Sequence, residues 1–357
     1  MKISKLLSNA LILSVLFLTS CSNDDDGIQL PRGDYENGIL ISGEGSPSAG
    51  TGSITFVSND LTTTENLIYK KVNNTELGTF LQSIAFDNES AFIVVDNANS
   101  ITVVDRYTFE EKTIITTDLI APRYMTIVGD KGYVTNWGST SDDTDDFIAI
   151  VDLNTNVVDD TISIGNGPER IISRGGKLYV SHKGAFSTNN IISVIDIETK
   201  NVEAITVKDN PDELFFNSSG SLVVLSEGRT LFDSSFNVTG HTLGSISIID
   251  INTLTVSQEF DFAEGEHPNL MVLDDSNIYY AVGGKVYSIE DNATSLSSES
   301  IVESQGFLYG MEVKDDRIYL LDASFSDLSE LNVYSLGTQD KIDTKNVALG
   351  ASKIYFN

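Results

Sequence analysis

The sequence is poor in basic residues, cysteine and proline. Its 357 residues include 22 Lys and Arg against 52 Asp and Glu, a formal net charge of -30 at pH 7. Nucleic acids and anionic lipid surfaces are bound by clustered Lys and Arg, so this balance argues against both as partners. A single cysteine excludes a disulfide scaffold, and six prolines exclude a collagen-like fibre. With 40 % apolar and only 21 % charged residues, the composition is that of a folded globular chain.

Long hydrophobic runs are also absent. The apolar run at residues 6–17 follows Lys2 and Lys5 and is too short to span a bilayer, which is typical of a secretory signal peptide. Small residues at 19–20 then precede Cys21, the pattern of a lipobox. We therefore predict a signal peptide at residues 1–20 and lipidation of Cys21. The alternative is an ordinary free cysteine.

An acidic segment follows the cysteine. Residues 22–26 read Ser-Asn-Asp-Asp-Asp, with no Asp directly after Cys21, so the signal for retention at the inner membrane is absent. The segment resembles the acidic export tag of Gram-negative surface lipoproteins, although a solvated linker would have the same composition. We expect residues 21–34 to be a lipidated tether at the outer membrane that leaves the protein exposed on the cell surface, with the lipid as the sole membrane attachment.

A β-strand motif recurs through the remaining chain. Short alternating runs bounded by Gly, Asn, Asp and Ser replace any extended helical pattern, which indicates an all-β fold. One marker strand with a bulky residue in register occurs seven times, at residues 38–41, 91–94, 132–135, 177–180, 221–224, 277–280 and 317–320. The average spacing of about 46 residues is typical of a four-stranded propeller blade. The sequence predicts one seven-bladed β-propeller over residues 35–357.

The two ends of this region complement each other. Most marker strands follow an opening strand that begins at a turn, often with proline, as at Pro122 and Pro168. The first marker strand lacks an opening strand, whereas residues 351–357 look like an opening strand with no blade after it. We predict that the C-terminal strand is the innermost strand of the first blade, which would leave no open sheet edge.

Short sequence motifs in these strands and turns support a family resemblance. Residues 133–136 read Tyr-Val-Thr-Asn, the tetrapeptide of the YVTN repeat propellers, and residues 167–170 and 193–199 look like YncE-type seven-bladed proteins. With the lipobox and acidic tag, the chain resembles the BtuG-type surface lipoproteins. That resemblance implies capture of cobalamin and its transfer to a TonB-dependent outer-membrane transporter. No ligand-contacting residue of that group can be matched to this chain one by one.

The loop lengths predict which face binds a ligand. In an antiparallel meander the turns after the second and fourth strands lie on one face. Long loops at residues 44–52, 136–146, 182–190, 226–244 and 322–330 all fall there, and binding sites are usually placed on such loops. We call this the long-loop face, and the opposite one the short-turn face.

The start of each innermost strand should line the channel mouth on the long-loop face. Counting one residue beyond the proline-equivalent position gives a polar ring: Gln82, Arg123, Glu169, Asp212, Asn269, Tyr309 and Lys353. Mixed charges with amide and phenol groups favour a polar ligand bearing amides or zwitterions over a simple anion or metal. Strand starts at a wet channel mouth would be polar without any ligand, so a merely solvated ring remains the alternative.

Neighbouring residues add aromatic and cationic candidates. These are Tyr124, Trp137, Arg170, His182 and Arg229, with Phe186 and His267 on the same face. Aromatic and Arg side chains are common anchors of binding sites. The chain has seven arginines, and three of them fall on this rim. Trp137 could instead pack under its loop, and a histidine here could be an ordinary surface residue.

Motifs for catalysis or metal binding are weak. The Asp-rich run at residues 142–146 could hold calcium but lacks the spacing and glycine of an EF-hand, so a solvated loop is expected. Three scattered histidines offer no zinc motif, and no nucleophile elbow, P-loop or dinucleotide fingerprint occurs. A lactonase-like site built from Glu44, Asp212 and rim histidines is the remaining enzymatic alternative. We expect no enzymatic activity, no cofactor and no resident metal.

The sequence thus predicts a monomeric surface lipoprotein that binds a small nutrient on the long-loop face. The ligand would be cobalamin-like or another polar compound, passed on to a TonB-dependent transporter. The main alternative is a non-catalytic propeller of the cell envelope that binds another protein.

Overall fold

Each of the seven marker strands is the second strand of a four-stranded antiparallel sheet. The computed structural model describes residues 31–357, of which 32–357 form one unit. The predicted signal peptide, Cys21 and nearly all of the predicted tether lie outside these described residues. The seven sheets are the blades of an all-β propeller, so the fold prediction is confirmed.

The first four blades follow one another along the chain. Their strands are β1 (Gly38–Gly43), β2 (Ser53–Ser58) and β3 (Thr64–Glu65) in blade 1; β4 (Leu81–Phe86), β5 (Ser90–Val95), β6 (Ser100–Asp105) and β7 (Glu111–Ile115) in blade 2; β8 (Pro122–Val128), β9 (Lys131–Asn136), β10 (Phe147–Asp152) and β11 (Val157–Ser163) in blade 3; and β12 (Pro168–Arg174), β13 (Lys177–His182), β14 (Ile191–Asp196) and β15 (Val202–Thr206) in blade 4. One short helix, α1 (Ile68–Asn73), lies between blades 1 and 2.

The last three blades complete the ring. Their strands are β16 (Pro211–Phe216), β17 (Leu222–Ser226), β20 (Ser245–Asp250) and β21 (Thr255–Asp261) in blade 5; β22 (Pro268–Asp274), β23 (Asn277–Val282), β24 (Lys285–Glu290) and β25 (Val302–Glu303) in blade 6; and β26 (Leu308–Lys314), β27 (Arg317–Asp322), β28 (Leu328–Ser335) and β29 (Lys341–Leu349) in blade 7. A separate hairpin, β18 (Arg229–Phe232) and β19 (Val238–Thr242), is inserted in blade 5. It accounts for the predicted extra length of that blade.

The final strand, β30 (Ala351–Phe356), closes the ring. It pairs antiparallel with β1, with Leu40 opposite Tyr355 and Ile41 opposite Ile354, and is the innermost strand of blade 1. The Tyr355 hydroxyl accepts a hydrogen bond of 2.9 Å from the backbone N–H of Ile84, which joins this strand to blade 2. The predicted closure is confirmed.

Apolar residues fill the space between neighbouring blades. Between blades 3 and 4, for example, Tyr133 and Ile148 pack with Leu178, Val180 and Ile195, and all five side chains are buried. Burying a side chain of this size stabilises the fold by about 1.5–3 kcal/mol relative to leaving it exposed. The marker strands are buried on both faces because each lies between two strands of its own sheet and between two blades.

The chain enters the propeller on the short-turn face. The backbone N–H of Tyr35 donates to the carbonyl of Tyr107 at 3.0 Å, and the Arg32 guanidinium lies 3.6 Å from the centre of the Tyr107 ring. Tyr107 belongs to the turn between β6 and β7, which lies on that face. Arg32 and Tyr35 therefore lie on the face opposite the channel mouth. In the described part of the chain, no helix has the length and apolar character needed to cross a bilayer.

Candidate functional site

Two rings of side chains form the channel mouth on the long-loop face. The strand ring comes from the start of the innermost strands, and the loop ring comes from the first residue after the second strand of a blade. The strand ring consists of Gln82, Arg123, Glu169, Asp212, Asn269, Tyr309 and Lys353, as predicted. The loop ring consists of Glu44, Asp96, Trp137, Lys183 and Glu227.

These rings surround a cavity of about 180 Å³. Ten of the twelve side chains predicted for ligand binding line it: Gln82, Arg123, Tyr124, Trp137, Glu169, Arg170, Asp212, Asn269, Tyr309 and Lys353. The structure thus brings them to one place, and their role in binding stays a prediction. We call this space the mouth cavity.

Arg123 is held in place on three sides. Its Nε and Nη2 donate to the two carboxylate oxygens of Glu169 at 3.0 and 2.9 Å, and its Nη1 donates to Asp96 at 2.9 Å. The guanidinium also lies 3.8 Å from the centre of the Trp137 ring. Although burial alone would lower it, the pKa of Arg123 is raised because Glu169 and Asp96 stabilise the charged form.

Arg170 and Lys183 share the carboxylate of Asp212. Arg170 Nε and Lys183 Nζ donate to its two oxygens at 3.0 and 2.8 Å. Arg170 also donates to Glu213, and Lys183 donates to Glu227 at 2.8 Å. Burial alone would raise the pKa of Asp212, but the two cations hold it well below its ordinary value. Two cations and three carboxylates therefore satisfy one another in this part of the cavity.

Lys353 differs from the other three cations of the mouth. Arg123, Arg170 and Lys183 each form ion pairs, whereas Lys353 forms none with any residue in the described range. Burial and the positive charge of Arg170 lower the pKa of its ammonium group. Lys353 is thus a cation whose hydrogen-bond donors remain available to a bound molecule.

Glu44 is the corresponding acid. It accepts a 3.1 Å hydrogen bond from the Tyr309 hydroxyl, and its pKa is raised by burial against the opposing effect of Lys353. Gln82 is 6 % exposed, and no hydrogen bond to its side-chain amide occurs among residues 31–357. A free ammonium, a weakly paired carboxyl and an amide therefore face one small cavity, where they can bind amide, hydroxyl and acidic groups of a ligand.

A second cavity of about 320 Å³ lies deeper in the channel. Arg170 and Lys353 line both cavities, so they form the level at which the two meet. Glu213 and Glu312 line the deeper one, and burial raises their pKa values to about 7 and about 8. Its remaining lining is largely apolar and includes Phe215 and Met271. The deeper cavity therefore adds two buried carboxyls to the polar groups of the mouth.

Two predicted residues lie outside the mouth cavity. His182 is 0 % exposed, with Nδ1 at 2.9 Å from the carbonyl of Asn166 and Nε2 at 2.8 Å from the Ser193 hydroxyl, and burial lowers its pKa to about 4. Arg229 lies on the inserted hairpin, where it pairs with Asp209 at 3.2 Å. Cys21, predicted to carry lipid, lies outside the described residues.

The histidines do not approach the carboxyls named for a lactonase-like site. His241 Nδ1 lies 3.0 Å from His267 Nε2, and His267 Nδ1 lies 2.8 Å from the backbone carbonyl of Glu227. None of the three histidines lines the mouth cavity with Glu44 and Asp212. Within residues 31–357, moreover, no three His, Cys, Asp or Glu side chains cluster in a way that could hold a metal ion.

Lys183, Glu227 and Asp96 were not among the predicted binding residues, and Glu44 was named only for a lactonase-like site. All four directly follow a second strand, the same position as Trp137. The register that locates the strand ring also locates this loop ring, because each member lies four residues after the bulky residue of its marker strand, as Trp137 does after Tyr133. That signal was present in the repeat spacing.

Comparison with solved structures finds similar β-propellers in proteins whose names describe different activities. A candidate 6-phosphogluconolactonase from Bacteroides fragilis superposes with a TM-score of 0.64 at 13 % identity, covering 91 % of this chain and 98 % of its own. The extracellular domain of a candidate one-component system from Bacteroides thetaiotaomicron gives 0.59 at 14 % identity, covering 80 % of this chain and 38 % of its own. Dihydro-haem d1 dehydrogenase NirN gives 0.57 at 12 %, covering 91 % and 76 %.

This chain shares the β-propeller fold with all three. At such low identities the likeness establishes the fold alone, because one fold supports many functions. No protein-family model and no curated protein sequence matches the chain. Function must therefore be argued from the mouth cavity itself.

Proposed function

We propose that this protein captures a small polar nutrient in the mouth cavity. The observation that carries the proposal is the unpaired ammonium of Lys353, which lies with Glu44 and Gln82 among three cations that already have internal partners. A buried cation without a partner is costly, and a ligand oxygen would satisfy it. The paired cations fix the shape of the cavity, and the free groups supply hydrogen bonds.

The chemistry of the free groups defines the ligand class. Lys353 donates, Glu44 accepts, and the amide of Gln82 can do both. This set suits a compound rich in carboxamide or carboxylate groups, and cobalamin has that character. The resemblance of the Tyr-Val-Thr-Asn repeat and the lipobox to BtuG-type proteins supports the same ligand. The ligand itself is the part of the proposal that needs the first test.

The cellular setting is part of the proposal. Lipidation of Cys21 would anchor the protein at the outer membrane, and the acidic segment after it would favour the cell surface. The first described residues contact the propeller on the short-turn face, opposite the mouth cavity. A TonB-dependent transporter would then receive the ligand from the long-loop face.

One observation favours a second candidate function, protein binding. All five phenylalanines that are exposed among residues 31–357 lie on the long-loop face: Phe186, Phe232, Phe236, Phe307 and Phe325. Exposed aromatic side chains are enriched at protein interfaces. A propeller that binds another envelope protein without any small ligand would use the same face.

Isothermal titration of the chain from Ser22 onward with cyanocobalamin, haem and a panel of siderophores tests the proposal. We expect saturable binding of one compound and its loss in Arg123→Ala, Trp137→Ala and Lys353→Gln. Arg174→Ala and Lys285→Gln are matched controls, because neither residue lines the mouth cavity and neither forms an ion pair among residues 31–357. Heat release that saturates equally in the control and mouth variants would contradict the proposed site.

No measurable binding of any compound in the panel would instead support the protein-binding candidate. In that case, substitution of Phe307 and Phe325 by Ser should abolish capture of an envelope partner, while Lys353→Gln should leave it unchanged.

A further inference from the structure

A separate cavity of about 320 Å³ lies on the long-loop face, between the loops of blades 3 and 4. Its aromatic wall consists of Trp137 and Phe186, whose ring centres are 5.7 Å apart at an angle of 74°. Phe186 is 66 % exposed, although it touches this ring, so much of its surface remains free. We call this space the rim cavity. Trp137 is shared with the mouth cavity, where Arg123 covers another part of its ring.

The charge of the rim cavity is entirely negative. Asp142, Asp143 and Asp146 line it, and no Lys or Arg of the described chain does. None of these three carboxylates forms an ion pair with a residue in the range 31–357. The remaining polar groups are hydroxyls of Ser and Thr and the amide of Asn166. The cavity therefore presents acids and aromatic rings without an internal cation.

Asp146 supplies an independent observation, a buried carboxyl oxygen without a hydrogen-bond partner beside the cavity. Its side chain is 1 % exposed, its Oδ2 accepts a hydrogen bond from the backbone N–H of Gly167, and its Oδ1 has no partner. Burial, followed by the nearby carboxylates, raises its pKa to about 6. At neutral pH this buried carboxylate is charged and uncompensated, which is unfavourable unless a positive charge comes close.

An inorganic metal ion fits this cavity poorly. Both oxygens of Asp145 accept from the backbone N–H of Ser139, at 3.0 and 3.1 Å, and Asp142 Oδ1 accepts from the backbone N–H and hydroxyl of Thr144. These carboxylates are turned into their own loop, and within residues 31–357 no converging set of three acids exists. Calcium needs six to eight converging oxygens. An organic cation needs only an aromatic face and a nearby negative field.

We propose that the rim cavity binds a small organic ammonium compound. The positive group packs against the exposed surface of Phe186 beside Trp137, within the field of Asp142, Asp143 and Asp146. Hydroxyl and amide groups of the loops bind the polar remainder of the molecule. Trp137 lines both cavities, and the two proposed ligands would contact different parts of its ring.

Trp137 provides the readout, since it is the single tryptophan in the chain. Purified protein is titrated with choline at constant ionic strength while tryptophan fluorescence is recorded. The matched control is 3,3-dimethylbutan-1-ol, which has the shape of choline without the charge. We expect a saturable change with choline and none with the neutral alcohol. Calcium chloride is titrated separately, and a saturable response to calcium alone would overturn the organic-cation assignment.

Variants locate the site. Phe186→Ala should weaken choline binding roughly fivefold through loss of the cation–π contact, and Asp146→Asn should weaken it by a similar factor. Phe236→Ala is the matched control, because Phe236 is 86 % exposed on the same face but does not line the rim cavity. Lys353→Gln should leave the choline response unchanged, which separates this site from the mouth cavity. Equal weakening by Phe236→Ala, or no response to choline in the tens of millimolar, would overturn the proposal.

Discussion

The guanidinium of Arg123 is bound on one side by the carboxylate of Glu169 and covered on another by the ring of Trp137, 3.8 Å from the ring centre. Arg123 in blade 3 is thereby joined to Glu169 at the start of blade 4 and to Trp137 in the long loop after β9. This arrangement rigidifies the mouth cavity before any ligand arrives, which reduces the entropy that binding must overcome.

Replacing Arg123 with lysine should destabilise the protein while preserving the charge. A lysine can form one of the hydrogen bonds but neither the paired contact with Glu169 nor the flat stack on Trp137, so we expect the free energy of unfolding to fall by about 2 kcal/mol. Urea unfolding followed by tryptophan fluorescence measures this. Arg174→Lys, whose guanidinium lies 4.9 Å from the Phe216 ring centre without an ion pair, should change it by less than about 0.5 kcal/mol. Similar losses in both variants would contradict the role of the Glu169 contact.

Lys353→Met should stabilise the protein and impair binding. Burial and Arg170 lower the pKa of the Lys353 ammonium, which means that the folded state disfavours its charged form relative to the unfolded state. The penalty is present at pH 7 and declines as pH rises through the lowered pKa, so the gain in Tm should be larger at pH 7 than at pH 10. Thermal melts at both pH values measure it, with Lys285→Met as the exposed control. A lower Tm for Lys353→Met at pH 7 would contradict this account.

Asp146→Asn should shift the pH dependence of stability. The pKa of this carboxyl is raised to about 6 in the folded state, so the folded protein holds its proton more tightly than the unfolded chain. Stability contributed by the protonated form is lost as pH rises through about 6. The Tm of the variant relative to the natural protein should therefore be higher at pH 8 than at pH 5. A difference that is independent of pH would contradict the raised pKa of Asp146.

Removal of residues 351–357 should abolish cooperative folding, because blade 1 would lose its innermost strand and blade 2 would lose the hydrogen bond to Tyr355. Replacement of the hairpin at residues 229–242 with a short glycine linker is the matched deletion. The hairpin forms its own two-stranded sheet, and Arg229 pairs with Thr242, so its ends are close together. We expect a single cooperative melt for the hairpin deletion and none for the C-terminal one, by circular dichroism and differential scanning calorimetry.

The sequence was sufficient to predict the strand ring of the mouth cavity, because side chains alternate along a strand and the blade repeats at a regular interval. Once the proline-equivalent position of one inner strand is known, the channel-facing residue of each other blade follows, including Gln82 and Lys353, which lack that proline. The same periodicity explains the outcome for His182. His182 is the last residue of β13, and its side chain is buried against Asn166 and Ser193. Its neighbour Lys183 lines the mouth cavity instead.

Other features depend on contacts that no spacing encodes. The inserted hairpin carries Arg229 away from the channel, and nothing in the repeat indicates where such an insertion folds. Which mouth cation stays unpaired depends on distances between side chains from three or four blades. Burial of Asp146 depends likewise on the approach of Gly167 from the next blade. Such features arise from packing between repeats rather than from the pattern within one.

Pairing of β30 with β1 also determines when the ring of blades can close. The partner of residues 39–43 lies more than 300 positions further along the chain, so it is synthesised long after them. Contacts between such distant segments are slow to form. Until then blade 1 has an unpaired inner edge, and the circular sheet arrangement cannot be completed. A propeller with this topology stays open until residues 351–356 have been synthesised, however many of its blades have already folded.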